Sequence, residues 1–150
     1  MQQKVLFQLG IEDRPRFFLQ IKQEELEVDV ADYSLWGGSA GARMAAWLGS
    51  YGTEAFGEMA YPRPCAVIMQ YTGLSEVTGT EPPTYNCVGT NDGIASYRTM
   101  ERRIAAIQAN GTDAEIQVFP GLSHGFGLGT GTVADGWINN AVAFWERNMQ

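Results

Sequence analysis

The sequence has little histidine, little cysteine and little positive charge. Its 150 residues include one His, two Cys and ten Lys or Arg, against 17 Asp or Glu, for a net charge of −7. Because no basic stripe is present to neutralise phosphates, the composition argues against a nucleic-acid partner. The acidic residues are spread along the chain, so we interpret the net charge as a contribution to solubility rather than as a binding surface.

The two cysteines, Cys65 and Cys87, do not have the spacing of metal ligands, and only one histidine could join them. We therefore expect no metal site. Each cysteine falls in or beside a predicted interior strand, which favours buried free thiols. A disulfide between them is the alternative that the sequence leaves open.

Long apolar runs are also absent. No run approaches the length of a membrane span, and the start has no charged segment followed by an apolar one. These absences predict no membrane partner and, for the chain as given, a cytoplasmic location without a signal peptide. Apolar residues make up 45% and charged residues 18%, which predicts a globular domain with a real core.

Short apolar runs and amphipathic segments alternate along the chain. Strands are predicted at 33–36, 66–69, 84–88 and 114–118, and helices at 13–26, 40–48, 95–109 and 134–148. Gly49 and Gly52 are expected to end the second of these helices, and residues 5–9 fit either a short strand or a helical turn. The alternation indicates an α/β fold, with a parallel sheet covered by helices.

The central motif is Gly37-Gly38-Ser39-Ala40-Gly41, which lies between the first predicted strand and the helix that follows it. Gly-x-Ser-x-Gly in this position is typical of a nucleophile elbow, in which the serine occupies a tight strand-to-helix turn. The glycines would allow strand and helix to approach closely. About 0.1 accidental matches are expected in a chain of this composition, so the motif needs a base and an acid elsewhere.

Asp92 and His124 supply those two residue types. Each lies in a loop just after a predicted strand, as Ser39 does, and ligands bind at the carboxyl ends of strands in such sheets. The order Ser, Asp, His is the one that α/β-hydrolases use. In a triad the imidazole takes the serine proton, while the carboxylate fixes the imidazole tautomer.

Other interpretations of these residues exist. Asp92 lies in Asn-Asp-Gly, a strong turn signal, and a single histidine is often structural. Asp113 precedes a strand and Asp135 resembles a first-turn helix residue, so both are weaker candidates for the acid. Ser123 lacks an elbow. We favour the catalytic role for Asp92 and His124, and we interpret the four tryptophans as packing residues rather than sugar-stacking platforms.

Four blocks, at 35–42, 89–92, 123–131 and 136–145, resemble the carboxyl-terminal half of an α/β-hydrolase. The group they resemble is the bacterial esterases that include acetyl xylan esterase-like and feruloyl esterase-like enzymes. The resemblance implies one truncated domain, with a diverged segment over about 1–30 and the catalytic half over 31–150. It also implies the last four strands of the family sheet, mostly parallel and flanked by helices.

The same resemblance implies hydrolysis of a small-molecule carboxylic ester through an acyl-enzyme, without a cofactor. Ser39, Asp92 and His124 occupy the positions of the catalytic residues, and the N–H of Ala40 occupies that of one oxyanion donor. The family's other donor comes from a His-Gly-Gly loop, and no such motif precedes Ser39.

Two hypotheses about function follow. The chain is either a serine esterase for short acyl esters, including carbohydrate-linked ones, or a catalytically weak or inactive remnant that binds a ligand or self-associates. Self-association is expected because the strand at 33–36 would have no partner on one side. Residues 71–82 fit either a lid at the rim of the site or a surface loop.

Overall fold

The computed structural model describes residues 3–8 and 28–150. The elements in these ranges are β1 (Gln3–Gln8), β2 (Val28–Gly38), α1 (Ala40–Tyr51), β3 (Ala66–Gln70), β4 (Thr84–Gly89), α2 (Tyr97–Ala109), β5 (Ala114–Phe119) and α3 (Trp137–Arg147). A short 3-10 turn, Glu54–Phe56, lies in the loop after α1. The helix predicted over 13–26 lies outside the described residues.

The five described strands form one sheet in the order β1-β2-β3-β4-β5, and every neighbouring pair is parallel. All six residues of β4 are buried, as are the first four of β3. Strands buried on both faces belong to parallel sheets covered by helices. The α/β class and the four predicted strands are therefore confirmed.

The amino-terminal side of the sheet differs from the expectation. β1 pairs in parallel with β2, so the strand that leads to Ser39 has a neighbour on both sides. The expectation of an unpaired edge on that strand is therefore wrong. The sequence of β1 could not distinguish a strand from a helical turn, because six residues are too few to show either periodicity. Its pairing with β2 makes the segment a strand. In the described residues the outer strand on this side is β1.

Helices cover both faces of the sheet. Val67 and Met69 of β3 pack with α1, whereas Ile68 between them packs with α3, as expected from the alternation of side chains along a strand. Met100 of α2 packs on the same face as α1, against Val88 of β4. The tryptophans Trp36, Trp137 and Trp145 are buried in the core on the α3 side, which supports their interpretation as packing residues.

The carboxyl-terminal end of α1 differs from the sequence prediction. Gly49 does not stop the helix, which continues to Tyr51 and ends at Gly52 with φ 77°. A Cβ on Gly49 would lie 2.8 Å from Cγ2 of Val67 and 3.0 Å from Cγ of Pro82. The glycine therefore lets α1 pack closely on the sheet. None of the helices in the described ranges is both long and apolar enough to cross a membrane.

The connection between β3 and β4 is attached to the helices beside it. The Glu76 carboxylate accepts hydrogen bonds from the hydroxyl of Tyr51 and from Nε1 of Trp47, which lower its pKa. Nε of the buried Arg103 donates to the Glu76 carbonyl at 3.0 Å. These contacts favour the surface-loop interpretation over the lid for the part of the 71–82 connection around Glu76.

Candidate active site

Ser39 lies in a tight turn between β2 and α1. Its backbone has φ 54° and ψ −115°, in a region that residues with a side chain rarely adopt. The Ser39 N–H donates to the Gln70 carbonyl at 2.9 Å, which ties the turn to the end of β3. Strained backbone of this kind is concentrated at functional sites in proteins.

Gly37 makes the turn sterically possible. A Cβ on Gly37 would lie 2.3 Å from both the carbonyl carbon and the carbonyl oxygen of Gly41. Because those atoms belong to the backbone, they cannot move aside without displacing α1. The first and last glycines of the motif thus face each other where strand and helix are closest.

We expect Gly37→Ala to lower the free energy of unfolding by about 1–3 kcal/mol, the usual cost of overpacking, because α1 must shift. Urea unfolding followed by circular dichroism measures the change. Gly93→Ala is the matched control, since a Cβ there would meet nothing within 4 Å. Equal stability of the two variants would contradict the steric explanation.

Asp92 lies in the loop after β4, and its side chain is fully buried. Its Oδ1 accepts hydrogen bonds from the N–H groups of Ile94 at 2.8 Å and Ala95 at 2.7 Å. Its Oδ2 lies 2.8 Å from Nδ1 of His124. The residue therefore shapes its turn with one carboxylate oxygen and contacts the histidine with the other.

His124 lies in the loop after β5, and its side chain is 20% exposed. Its Nδ1 faces Asp92, and its Nε2 lies 3.0 Å from Oγ of Ser39. A Cβ on Gly89 would lie 1.9 Å from the Leu122 carbonyl oxygen. Only a glycine at the end of β4 therefore lets the loops that carry Asp92 and His124 approach so closely.

The structure brings the three predicted residues into one hydrogen-bonded series. With a proton on Nδ1, the imidazole donates to the Asp92 carboxylate and leaves the Nε2 lone pair for the Ser39 hydroxyl. This arrangement lets the imidazole take the hydroxyl proton while the carboxylate steadies the resulting positive charge. A serine hydroxyl next to such a base can act as a nucleophile.

The weaker candidates for the catalytic acid and for the nucleophile lie outside this hydrogen-bonded series. Asp113 precedes β5, at the opposite end of the sheet, and contacts Arg147 at 3.0 Å. Asp135 accepts a hydrogen bond from the Gly131 N–H at 3.2 Å. Ser123 has none of the elbow geometry of Ser39, because it lies in the loop after β5 rather than at a strand-to-helix turn.

Both cysteines are free thiols, which removes the disulfide alternative. Cys87 is buried in β4, whereas Cys65 lies just before β3 and is only half-buried. Burial raises the pKa of the Cys65 thiol to about 11. Within the described ranges, no group of three or more His, Cys, Asp or Glu is placed to hold a metal ion.

Ala40 is the first residue of α1 and is exposed to solvent. Its N–H has no acceptor within the helix, because the first amides of a helix lack one, and it lies at the positive end of the helix dipole. The N–H of Ser39 is already bonded to Gln70. The Ala40 amide, next to the serine, is therefore suited to bind a developing oxyanion.

Gln70 and Tyr71 belong to this site, although the sequence reasoning did not select them. The Tyr71 ring packs against the His124 ring, with centroids 4.8 Å apart. Gln70 Nε2 donates to the Gly127 carbonyl at 2.8 Å, in the loop that carries His124. The sequence signal that could have identified them is their position at the end of a predicted strand, because Ser39 and Asp92 also lie just after parallel strands.

The sequence matches no protein-family model and none of the curated proteins. Solved structures, by contrast, share its fold. An acetyl ester-xyloside bifunctional hydrolase from Caldicellulosiruptor lactoaceticus has a TM-score of 0.71 at 18% identity, covering 87% of this chain and 61% of its own. An alpha/beta hydrolase from a deep-sea metagenome has a TM-score of 0.70 at 17% identity, with coverages of 88% and 60%.

A third structure is esterase 2 of Thermogutta terrifontis phosphorylated by paraoxon. It has a TM-score of 0.61 at 20% identity and covers 87% of this chain and 56% of its own. At these identities the likeness concerns the fold, and the chain has the fold of the α/β-hydrolases. It spans about 60% of the length of the first two of these structures.

Proposed function

We propose that this chain carries the catalytic triad of a serine esterase. Ser39 is the nucleophile, His124 the general base and acid, and Asp92 the carboxylate that orients the imidazole. The observation that carries the proposal is the hydrogen-bonded series of these three side chains, with the serine in a strained turn at a helix amino terminus. Two proteins with the same fold, an acetyl ester-xyloside bifunctional hydrolase and an esterase phosphorylated by paraoxon, support it.

The proposed reaction begins with attack of Ser39 Oγ on the ester carbonyl carbon while its proton passes to Nε2 of His124. The carbonyl oxygen becomes an oxyanion that the Ala40 N–H stabilises. When the C–O bond to the alcohol breaks, His124 returns the proton to the leaving oxygen, and an acyl-enzyme remains. Water attacks that ester with His124 as base, which releases the acid and restores Ser39.

Short acyl esters, including those linked to a carbohydrate, are the substrates that we propose. The support is a structure with the same fold that is described as an acetyl ester-xyloside hydrolase. No cofactor enters the proposed reaction, because serine, imidazole and carboxylate supply every proton and bond that it needs.

The second candidate is a hydrolase domain with weak or no turnover. This candidate applies to these 150 residues acting alone, because residues 1–38 contain no His-Gly-Gly motif that would add a donor to the Ala40 amide. Loss of one such donor typically slows turnover by about 10²–10³-fold. In that case the triad would still activate Ser39 toward reactive phosphorus compounds.

Labelling with a fluorophosphonate probe tests the proposal. We expect the probe to modify the folded chain in a 1:1 ratio and peptide mapping to place the adduct on Ser39, because His124 increases the nucleophilicity of its hydroxyl. Labelling with rapid hydrolysis of p-nitrophenyl acetate supports the esterase, and labelling with slow hydrolysis supports the weak hydrolase. A folded chain that the probe does not modify would contradict the triad.

A further inference from the structure

Tyr71 has an unusual backbone. In the described part of the chain, the non-glycine residues with positive φ are Ser39, at 54°, and Tyr71, at 34°. The Tyr71 N–H donates to the Cys87 carbonyl at 2.8 Å, so the end of β4 holds this conformation in place. A strained conformation of this kind persists only where the surroundings impose it, and such sites are often functional.

The strained conformation directs the Tyr71 ring into the site. The ring meets the imidazole of His124 at an interplanar angle of 63°, and it meets Phe126 edge to face with centroids 4.9 Å apart. A Cβ on Gly38 would lie 2.9 Å from the Tyr71 hydroxyl. The ring therefore fills the space between the elbow and the histidine loop, and the missing side chain of Gly38 makes room for it.

Two side chains hold the backbone carbonyl of Gly127, three residues beyond His124. Gln70 Nε2 and Trp137 Nε1 both donate to the Gly127 carbonyl, at 2.8 Å and 3.0 Å. Burial raises the pKa of the Tyr71 hydroxyl, and the nearby Gly127 backbone offsets part of that rise. Tyr71 thus contacts the histidine loop through its ring, at His124 and at Phe126.

We propose that Tyr71 is a positioning residue that holds the His124 imidazole between Asp92 and Ser39. This inference rests on the proposed function, since it assigns Tyr71 to the same site. Asp92 fixes one edge of the imidazole by a hydrogen bond, but a single bond leaves the ring free to tilt about it. The Tyr71 ring limits that tilt, so Nε2 stays directed at the serine hydroxyl.

The test uses Tyr71→Asn and Tyr71→Phe. Asparagine tolerates positive φ and removes the ring, whereas phenylalanine keeps the ring and loses the hydroxyl. Because displacement of a reacting group by about 1 Å can cost 10²-fold in rate, we expect Tyr71→Asn to lower kcat about 10²-fold with little change in KM. Tyr71→Phe should stay near the unmodified rate. Tyr85→Phe is the control, since Tyr85 is a buried tyrosine near the opposite end of the sheet, bonded to Gln117.

A second readout does not depend on turnover. The chain has one histidine, so in untagged protein every imidazole NMR signal belongs to His124. We expect a slowly exchanging Nδ1–H signal in the unmodified chain, in Tyr71→Phe and in Tyr85→Phe, and its loss in Tyr71→Asn. If Tyr71→Asn does not fold, Tyr71→Gly, which adopts positive φ without strain, replaces it with the same expectation.

The outcomes separate the two proposals. Retention of the Nδ1–H signal and of kcat in Tyr71→Asn would overturn the positioning role, as would an equal loss in Tyr71→Phe and Tyr71→Asn. A chain that fluorophosphonate does not label, but whose Nδ1–H signal disappears in Tyr71→Asn alone, would overturn the esterase and support the positioning of His124.

Discussion

Ser39→Ala is expected to abolish hydrolysis of p-nitrophenyl acetate by this chain. The substitution removes the only hydroxyl that His124 contacts at hydrogen-bond distance in the described residues. Loss of the nucleophile in a serine triad lowers kcat by about 10⁴-fold or more, because binding and the oxyanion site supply only the residual rate. Initial rates at saturating substrate, corrected for spontaneous hydrolysis, measure the effect.

Two further variants control this experiment. Ser123→Ala removes the hydroxyl of the residue next to His124 and should leave the rate unchanged. Ser39→Gly also removes the nucleophile, but it relieves the strained backbone at φ 54°, so it should be at least as stable as the unmodified chain. An inactive yet stable Ser39→Gly would exclude unfolding as the cause. Equal rates in Ser39→Ala and the unmodified chain would refute the assignment of the nucleophile.

The features that could be predicted from the sequence are those set by local pattern. The apolar run at 66–69 is typical of a strand buried on both faces of a parallel sheet. The spacing of Met100, Ile104 and Ile107 fits one helix face. Ser39, Asp92 and His124 could be selected because each follows a strand, and parallel strands all end at the same edge of a sheet. That topological fact connects residues that lie up to 85 positions apart.

The features that could not be predicted depend on close packing between distant segments. Gly49 looks like a helix stop in sequence, and only the proximity of Val67 and Pro82 explains it as a contact point. β1 is a strand because it pairs with the side of β2 that β3 does not occupy, and no local sequence pattern reveals that pairing. Tyr71 has no motif, because its role depends on a strained backbone and on ring contacts across more than 50 residues.

Asp92→Asn is expected to cause a loss almost as large as that of Ser39→Ala, for a different reason. The Oδ1 of the introduced asparagine would still accept the N–H groups of Ile94 and Ala95, so the turn would keep its conformation. The amide nitrogen of the new side chain would then replace Oδ2 and donate to Nδ1 of His124. The imidazole would have to carry its proton on Nε2, where it could no longer accept the serine proton. A tautomer reversed in this way lowers kcat by about 10⁴-fold in a serine triad.

The single histidine makes this tautomer reversal directly visible. In untagged protein the ¹⁵N signals of His124 should show the proton on Nδ1 in the unmodified chain and on Nε2 in Asp92→Asn, while the far-ultraviolet circular dichroism of the two is the same. Asp113→Asn is the control, because Asp113 is an exposed partner of Arg147 at the other end of the sheet. It should change neither rate nor tautomer. An Asp92→Asn variant with kcat within tenfold of the unmodified chain would mean that another group orients His124.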